Sequence, residues 1–205
     1  MLKYKLDKDP YDERVLFTGK LNREISPGFT VLVGCNGSGK TTVLNYIKDK
    51  YKNDDNYKIF SWSNTKDKST SKNAMLESQH YDILVSLAFS SEGEEIDTNI
   101  GILANQIGNF ERKNKDKNLI VLLDGIDSGL SIDLIDEVKD FFKDLVIPDI
   151  LKEGRECYVI ASANEYELAC DEHCIDARTG EELRFNSYEE YKKYILHSRK
   201  LKKVR

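Results

Sequence analysis

Two glycines, a lysine and a threonine stand at fixed spacing in Gly34-Cys35-Asn36-Gly37-Ser38-Gly39-Lys40-Thr41, which satisfies G-x-x-x-x-G-K-[ST]. These residue types suit phosphate chemistry. Glycines let successive backbone N–H groups turn inward around anionic oxygens. A helix opening at the lysine adds the positive end of its dipole. Lys40 is expected to reach the β- and γ-phosphates of a nucleoside triphosphate, and the Thr41 hydroxyl to coordinate Mg²⁺. Gly34, Asn36, Gly37, Ser38, Gly39, Lys40, Thr41 and Thr42 make up the expected cradle for ATP. Asp124 closes the apolar run Leu119-Ile120-Val121-Leu122-Leu123. A carboxylate at the carboxyl edge of a buried strand faces such a loop and helps to hold Mg²⁺, often through water. The competing readings are a glycine-rich turn that matches by chance and an aspartate that merely caps a turn. A strand before the loop and a helix after it speak against the first, and the loop itself speaks against the second.

The elements that must position these groups follow from periodicity. Phe29-Thr30-Val31-Leu32-Val33 reads as a strand into the loop, and Val43, Leu44, Tyr46 and Ile47 share one face of a helix running to about Lys50. Tyr57 to Trp62 is a further strand, Asn64 to Asn73 a polar loop, and Ile83 to Phe89 a buried helix or strand. Ile100, Leu103, Ile107 and Phe110 have helical spacing. Leu119 to Leu123 has the unbroken apolar character of a central parallel strand. An amphipathic helix begins near Ile132 and is expected to be interrupted at Pro148. Tyr158 to Ala161 is a strand and Glu165 to Ala169 a short helix. Cys174 to Ala177 and Leu183 to Phe185 form a hairpin around Gly180, and Ser187 to Leu201 is a closing helix. Leu2 to Leu6 and Arg14 to Phe17 are short N-terminal strands. Alternating strands and helices predict an α/β P-loop NTPase fold: a mostly parallel sheet flanked by helices, with antiparallel strands at the N-terminus.

Bulk properties limit what else the chain can be. Its 205 residues suit one domain, 1–205, with a helical part at about 64–113 and a basic helix and tail at 187–205. A net charge of -5 excludes polyanion binding by the overall field. The apolar runs are too short to span a bilayer, and the first residues lack the apolar segment of a signal peptide, so a soluble, cytoplasmic protein without a membrane partner is expected. Cys35, Cys157, Cys170 and Cys174 do not form a disulfide framework. Cys170-Asp171-Glu172-His173-Cys174 lacks the spacing of a zinc knuckle and reads as a helix end running into a strand.

With these residues in view, a family resemblance emerges. Asp124-Gly125-Ile126-Asp127-Ser128-Gly129-Leu130-Ser131 resembles the Walker B motif and D-loop of ATP-binding-cassette ATPases, closest to the SMC, RecF and RecN branch. Ser91-Glu92-Gly93-Glu94 resembles that branch's signature motif, in the same order along the chain. The resemblance implies two domains docking head to tail around two ATP molecules, with Ser91 and Gly93 of one contacting the γ-phosphate held by the other. It further implies an ATP-dependent homodimer that signals to a separate effector, in DNA processing or phage-related functions. About fifty residues separate loop from signature, without sustained heptads, so the chain is a head without a coiled coil.

Two departures bear on catalysis. The family's glutamate after the Walker B aspartate is Gly125 here, and its switch histidine is absent. Asp127 is the candidate substitute base. Asn164, or Ser162 as the lesser candidate, occupies the switch position; an asparagine can hydrogen-bond a phosphate or water but cannot carry its proton. Slow hydrolysis is therefore expected, and restoring a glutamate at position 125 is expected to raise turnover if the geometry allows. Asn64 and Gln79 both stand open as the family's metal- and water-contacting glutamine equivalent. Tyr11 and Phe17 are candidates for stacking on adenine. Five cations at Arg199, Lys200, Lys202, Lys203 and Arg205 allow contact with nucleic acid or an acidic partner, against the plainer reading of a solvated tail. A nucleoside or nucleotide kinase, a non-hydrolysing ATP sensor and a transporter ATPase subunit remain the alternatives.

Overall fold

A computed structural model describes residues 1–6, 21–63, 94–128 and 130–203. Strands β1 (Leu2–Leu6) and β2 (Leu21–Ile25) pair antiparallel, with Leu2 opposite Ile25. The main sheet contains β3 (Gly28–Val33), β4 (Tyr57–Ser63), β5 (Asn118–Asp124), β6 (Cys157–Ser162), β7 (His173–Asp176) and β8 (Glu182–Leu183). Its order is β4-β5-β6-β3-β7-β8. Every neighbouring pair is parallel except the terminal hairpin β7–β8. Among the described residues the helices are α1 (Lys40–Tyr51), α2 (Glu94–Lys113), α3 (Ile132–Asp140), α4 (Ile147–Lys152), α5 (Tyr166–Ala169) and α6 (Tyr188–Lys203).

Period-two alternation divides the core between the two faces of the sheet. Val31, Val33, Leu119, Val121, Leu123, Val159 and Ala161 face one way, packed against α2, the α3–α4 segment and α6. Leu32, Ile120, Leu122, Tyr158 and Ile160 face the other, against Val43, Leu44 and Ile47 of α1 and Leu2, Tyr4 and Ile25 of the small sheet. Both faces are covered, which is why the central strands are apolar throughout.

The strand expected at 14–17 lies outside the described residues; among those described, the strand that pairs with β1 is β2, whose Asn22, Arg23 and Glu24 hide any apolar pattern. One expectation needs correction. Pro148 does not end the helix. Residues Phe141–Val146 continue α3 as a π-helical segment, in which the N–H of Ile147 donates to the carbonyl of Phe142, five residues back. Pro148 then falls in the first turn of α4, where its missing N–H is not needed. The expected elements at 64–73 and 83–89 lie outside the described residues. Among the described residues, no helix is long and apolar enough to cross a membrane.

Candidate functional site

The carboxyl ends of β3, β5 and β6 meet at one edge of the sheet. From β3 the chain enters the loop at Gly34, which adopts φ 142°. A Cβ built there would lie 2.4 Å from Ser38 Oγ, so only glycine fits. Gly37 and Gly39 also have positive φ, at 73° and 103°. The Ser38 N–H donates to the Cys35 carbonyl at 3.0 Å and closes the loop. Gly39 precedes α1 in a left-handed conformation, and no side chain caps the helix. Its first-turn N–H groups are thus left without a side-chain acceptor at the place where an anion fits.

Lys40 is buried, and its Nζ donates to the Gly34 carbonyl at 2.8 Å. Burial lowers its pKa, opposed by the charges of Asp127, Cys35 and Asp124. A buried ammonium held mainly by a neutral carbonyl favours an incoming anion, which would supply the charge it lacks. Ser38 Oγ is buried without a hydrogen-bond partner, a further polar atom awaiting one. These features fit a bound phosphate group.

Asp124 ends β5 in register with Ser162 of β6, and Ser162 pairs in turn with Leu32 of β3. The parallel ladder therefore places the Asp124 carboxylate in front of α1, although β6 lies between β5 and β3. Thr41 Oγ1 donates to Asp124 Oδ1 at 3.2 Å. Ser162 Oγ donates to the same oxygen at 2.8 Å and accepts from the Gly125 N–H at 2.8 Å. The donor set, one hydroxyl and one carboxylate beside a phosphate loop, has the hard oxygen character that Mg²⁺ prefers.

Asp127 is 2% exposed. Its carboxylate accepts from the backbone N–H groups of Asn164 and Glu165, the latter at 2.7 Å, and from Asn164 Nδ2 at 3.1 Å. Burial raises its pKa, and the two backbone N–H groups pull it back. It ties the turn after β5 to the segment after β6. Asn164 Nδ2 also donates to Ser128 Oγ at 2.9 Å. Gly125 has φ 67°, so a glutamate there would carry the left-handed strain that non-glycine residues resist, at about 1–2 kcal/mol.

A cleft of about 620 Å³ opens in front of the loop, walled by Gly34 to Asn36, by Asn164 and Glu165, and by Ile195 and Arg199 of α6. Ser198, from the same helix, receives the Cys35 N–H on its Oγ at 3.3 Å. The basic C-terminal helix is therefore not detached: Tyr191, Tyr194 and Ile195 pack on the core of one sheet face, and Ser198 carries the helix to the phosphate loop. Ser162, Glu165, Ser198 and Arg199 are the neighbours that pattern reading undervalued. The adjacency of Glu165 to Asn164 was the one available signal. Ser91, Gly93, Tyr11, Phe17, Asn64, Gln79 and Gly129 lie outside the described residues. Cys170 ends α5 and Cys174 is buried within β7, its thiol pushed up to about 12 by desolvation.

No curated protein matches the chain. A family model described as an AAA domain matches residues 23–153, a span containing the whole phosphate loop, α1, β5 and Asp124. The chain thus belongs to the AAA domain family of P-loop NTPases, a nucleotide-binding domain of the ATPase type.

Proposed function

We propose that the chain binds ATP·Mg²⁺ on the loop at residues 34–42, hydrolyses it slowly, and works as an ATP-dependent dimerisation switch for a separate effector. The observation that carries the reading is the meeting of Thr41 Oγ1 and Asp124 Oδ1, 3.2 Å apart and 83 residues apart in sequence, beside the buried Lys40 ammonium. Gly34, Asn36, Gly37, Ser38, Gly39 and Thr42 complete the phosphate cradle in this reading. Thr41 and Asp124 would hold the Mg²⁺ ion, which when bound would supply charge neutralisation for the phosphoryl oxygens. Asn164 faces the cleft; its Nδ2 donates to Asp127 and Ser128, which leaves its Oδ1 to accept from water there.

The finer likeness to ATP-binding-cassette ATPases of the SMC and RecF branch rests on the turn from Asp124 to Ser131 and on Ser91 and Gly93. In that arrangement Ser91 and Gly93 grip the γ-phosphate bound to a second copy. Ile132, directly after the turn, is an apolar side chain 60% exposed, which suits an interface between copies. Loss of the γ-phosphate would then release the dimer, a ligand-driven shift of population.

Sedimentation velocity tests the switch. With Mg²⁺ and a non-hydrolysable ATP analogue the chain is expected to sediment as a dimer, and with ADP as a monomer. Lys40→Ala is expected to stay monomeric in both. A wild-type chain that binds the analogue yet remains monomeric at high concentration refutes the switch and leaves only nucleotide binding.

A further inference from the structure

Hydrolysis needs a group that accepts a proton from the attacking water, and the position after Asp124 offers none. Gly125 has no side chain, and its φ of 67° disfavours one. Asp127 cannot serve from where it stands. It is 2% exposed, and its two oxygens are committed to three donors on Asn164 and Glu165. Asp124 is committed to Thr41 and Ser162. A different carboxylate does face the reacting region. Glu165 is exposed and lines the cleft together with Gly34 to Asn36, and among the described residues it is the one carboxylate in that lining. Among the described residues its carboxylate takes part in no hydrogen bond or ion pair, and the residue is exposed. Its backbone is fixed, because its N–H donates to Asp127 at 2.7 Å.

We propose that Glu165 is the general base of this site, supplied from the end of β6 in place of a glutamate after Asp124. The proposal rests on the reading of residues 34–42 as an ATP site. The cleft then sets three functions side by side. The Glu165 carboxylate takes a proton, the Asn164 Oδ1, whose amide nitrogen is already donated to Asp127 and Ser128, accepts from the water and orients it, and the Arg199 guanidinium offsets negative charge. In the step itself, the water oxygen forms a bond to the γ-phosphorus as Glu165 takes one of its protons. The bond from that phosphorus to the β,γ-bridging oxygen breaks, and its electron pair leaves with ADP. The proton on Glu165 then passes to the products or to solvent, which restores the carboxylate. Asp127 is a positioning residue here: it holds the backbone of Asn164 and Glu165 and touches no reacting atom.

Single-turnover phosphate release and calorimetric ATP·Mg²⁺ affinity, measured together on wild type, Glu165→Gln and Glu165→Ala, decide the matter. Both variants alter an exposed side chain, so thermal melts are expected to match wild type. ATP·Mg²⁺ affinity is expected to stay within about threefold while phosphate release falls about 10²–10⁴-fold. Added formate is expected to restore part of the rate in Glu165→Ala but not in Glu165→Gln, where the amide still fills the space. A Glu165→Gln rate equal to wild type overturns the proposal. So does a fall in affinity that accounts for the whole loss of rate, and so does a wild type that binds ATP·Mg²⁺ without releasing phosphate. A wild type that fails to bind ATP·Mg²⁺ at all overturns the reading of the loop instead.

Discussion

Lys40 is the residue most exposed to chemical test. Its ammonium is buried against a carbonyl, and desolvation lowers its pKa. The protonated form is the one that attracts phosphate, so affinity is present below this lowered pKa and lost as pH rises through it. ATP·Mg²⁺ affinity, followed by calorimetry from neutral into alkaline pH, is therefore expected to weaken at lower pH than an ordinary exposed lysine would dictate. Lys40→Arg, which does not titrate in that range, is expected to bind with a flatter profile. Ser162 makes a second prediction. It holds Asp124 Oδ1 and the Gly125 N–H at once. A hydrogen bond to a charged group contributes about 1.5–3 kcal/mol, so Ser162→Ala is expected to raise the Mg²⁺ concentration needed for half-maximal ATP binding by about tenfold or more. A metal titration at fixed ATP measures it. An unchanged midpoint would mean that Thr41 alone orients the carboxylate. At this scale the sequence was legible where chemistry is local. Gly34, Lys40 and Thr41 follow one another along a single loop, and their spacing is the motif. It was illegible at Asp127, whose type allows a base but whose carboxylate is turned toward Asn164 and Glu165 by bonds that sequence does not display.

Among the elements, β6 sets the geometry of the site. It lies between β3 and β5, and its register places Ser162 beside both Leu32 and Asp124. The strand itself was evident from its apolar run; its place in the sheet was not, because adjacency of parallel strands depends on crossovers through helices packed elsewhere. The α3–π–α4 segment behind it is a second such case. Pro148 predicts a break, but the i→i−5 bond at Ile147 adds the residue that lets the helix continue. Phe142 sits within this segment, fully buried and edge-on to Phe141 at 5.1 Å between ring centroids. Phe142→Ala is expected to destabilise the fold by about 3–5 kcal/mol, the range for large aromatic truncations in a core, measured by urea unfolding. A loss under about 1 kcal/mol would mean that the π-helical segment repacks freely, contrary to the close packing of protein interiors.

Over the whole molecule, the C-terminal helix turns out to belong to the site. α6 buries Tyr191 against Phe185, with 5.2 Å between ring centroids, and carries Ser198 to the Cys35 N–H and Arg199 to the cleft. Nucleotide binding should thus stabilise the chain as one unit. At a hundred times Kd, ATP·Mg²⁺ is expected to add about 2.7 kcal/mol to unfolding, seen as a raised Tm that Lys40→Ala abolishes. Tyr191→Ala is expected to lower both stability and ATP affinity, because it loosens the helix that rests on the loop; a stability loss with unchanged affinity would separate α6 from nucleotide binding. The P-loop NTPase fold class, the phosphate loop, α1, β5 and Asp124 could all be read from residue order alone, because each depends on neighbours within a few positions and on burial periodicity. The roles open to Glu165, Ser162 and Arg199 could not. They depend on which strand lies beside which and on where a distant helix comes to rest, and long-range packing decides that by covering both faces of the sheet at once.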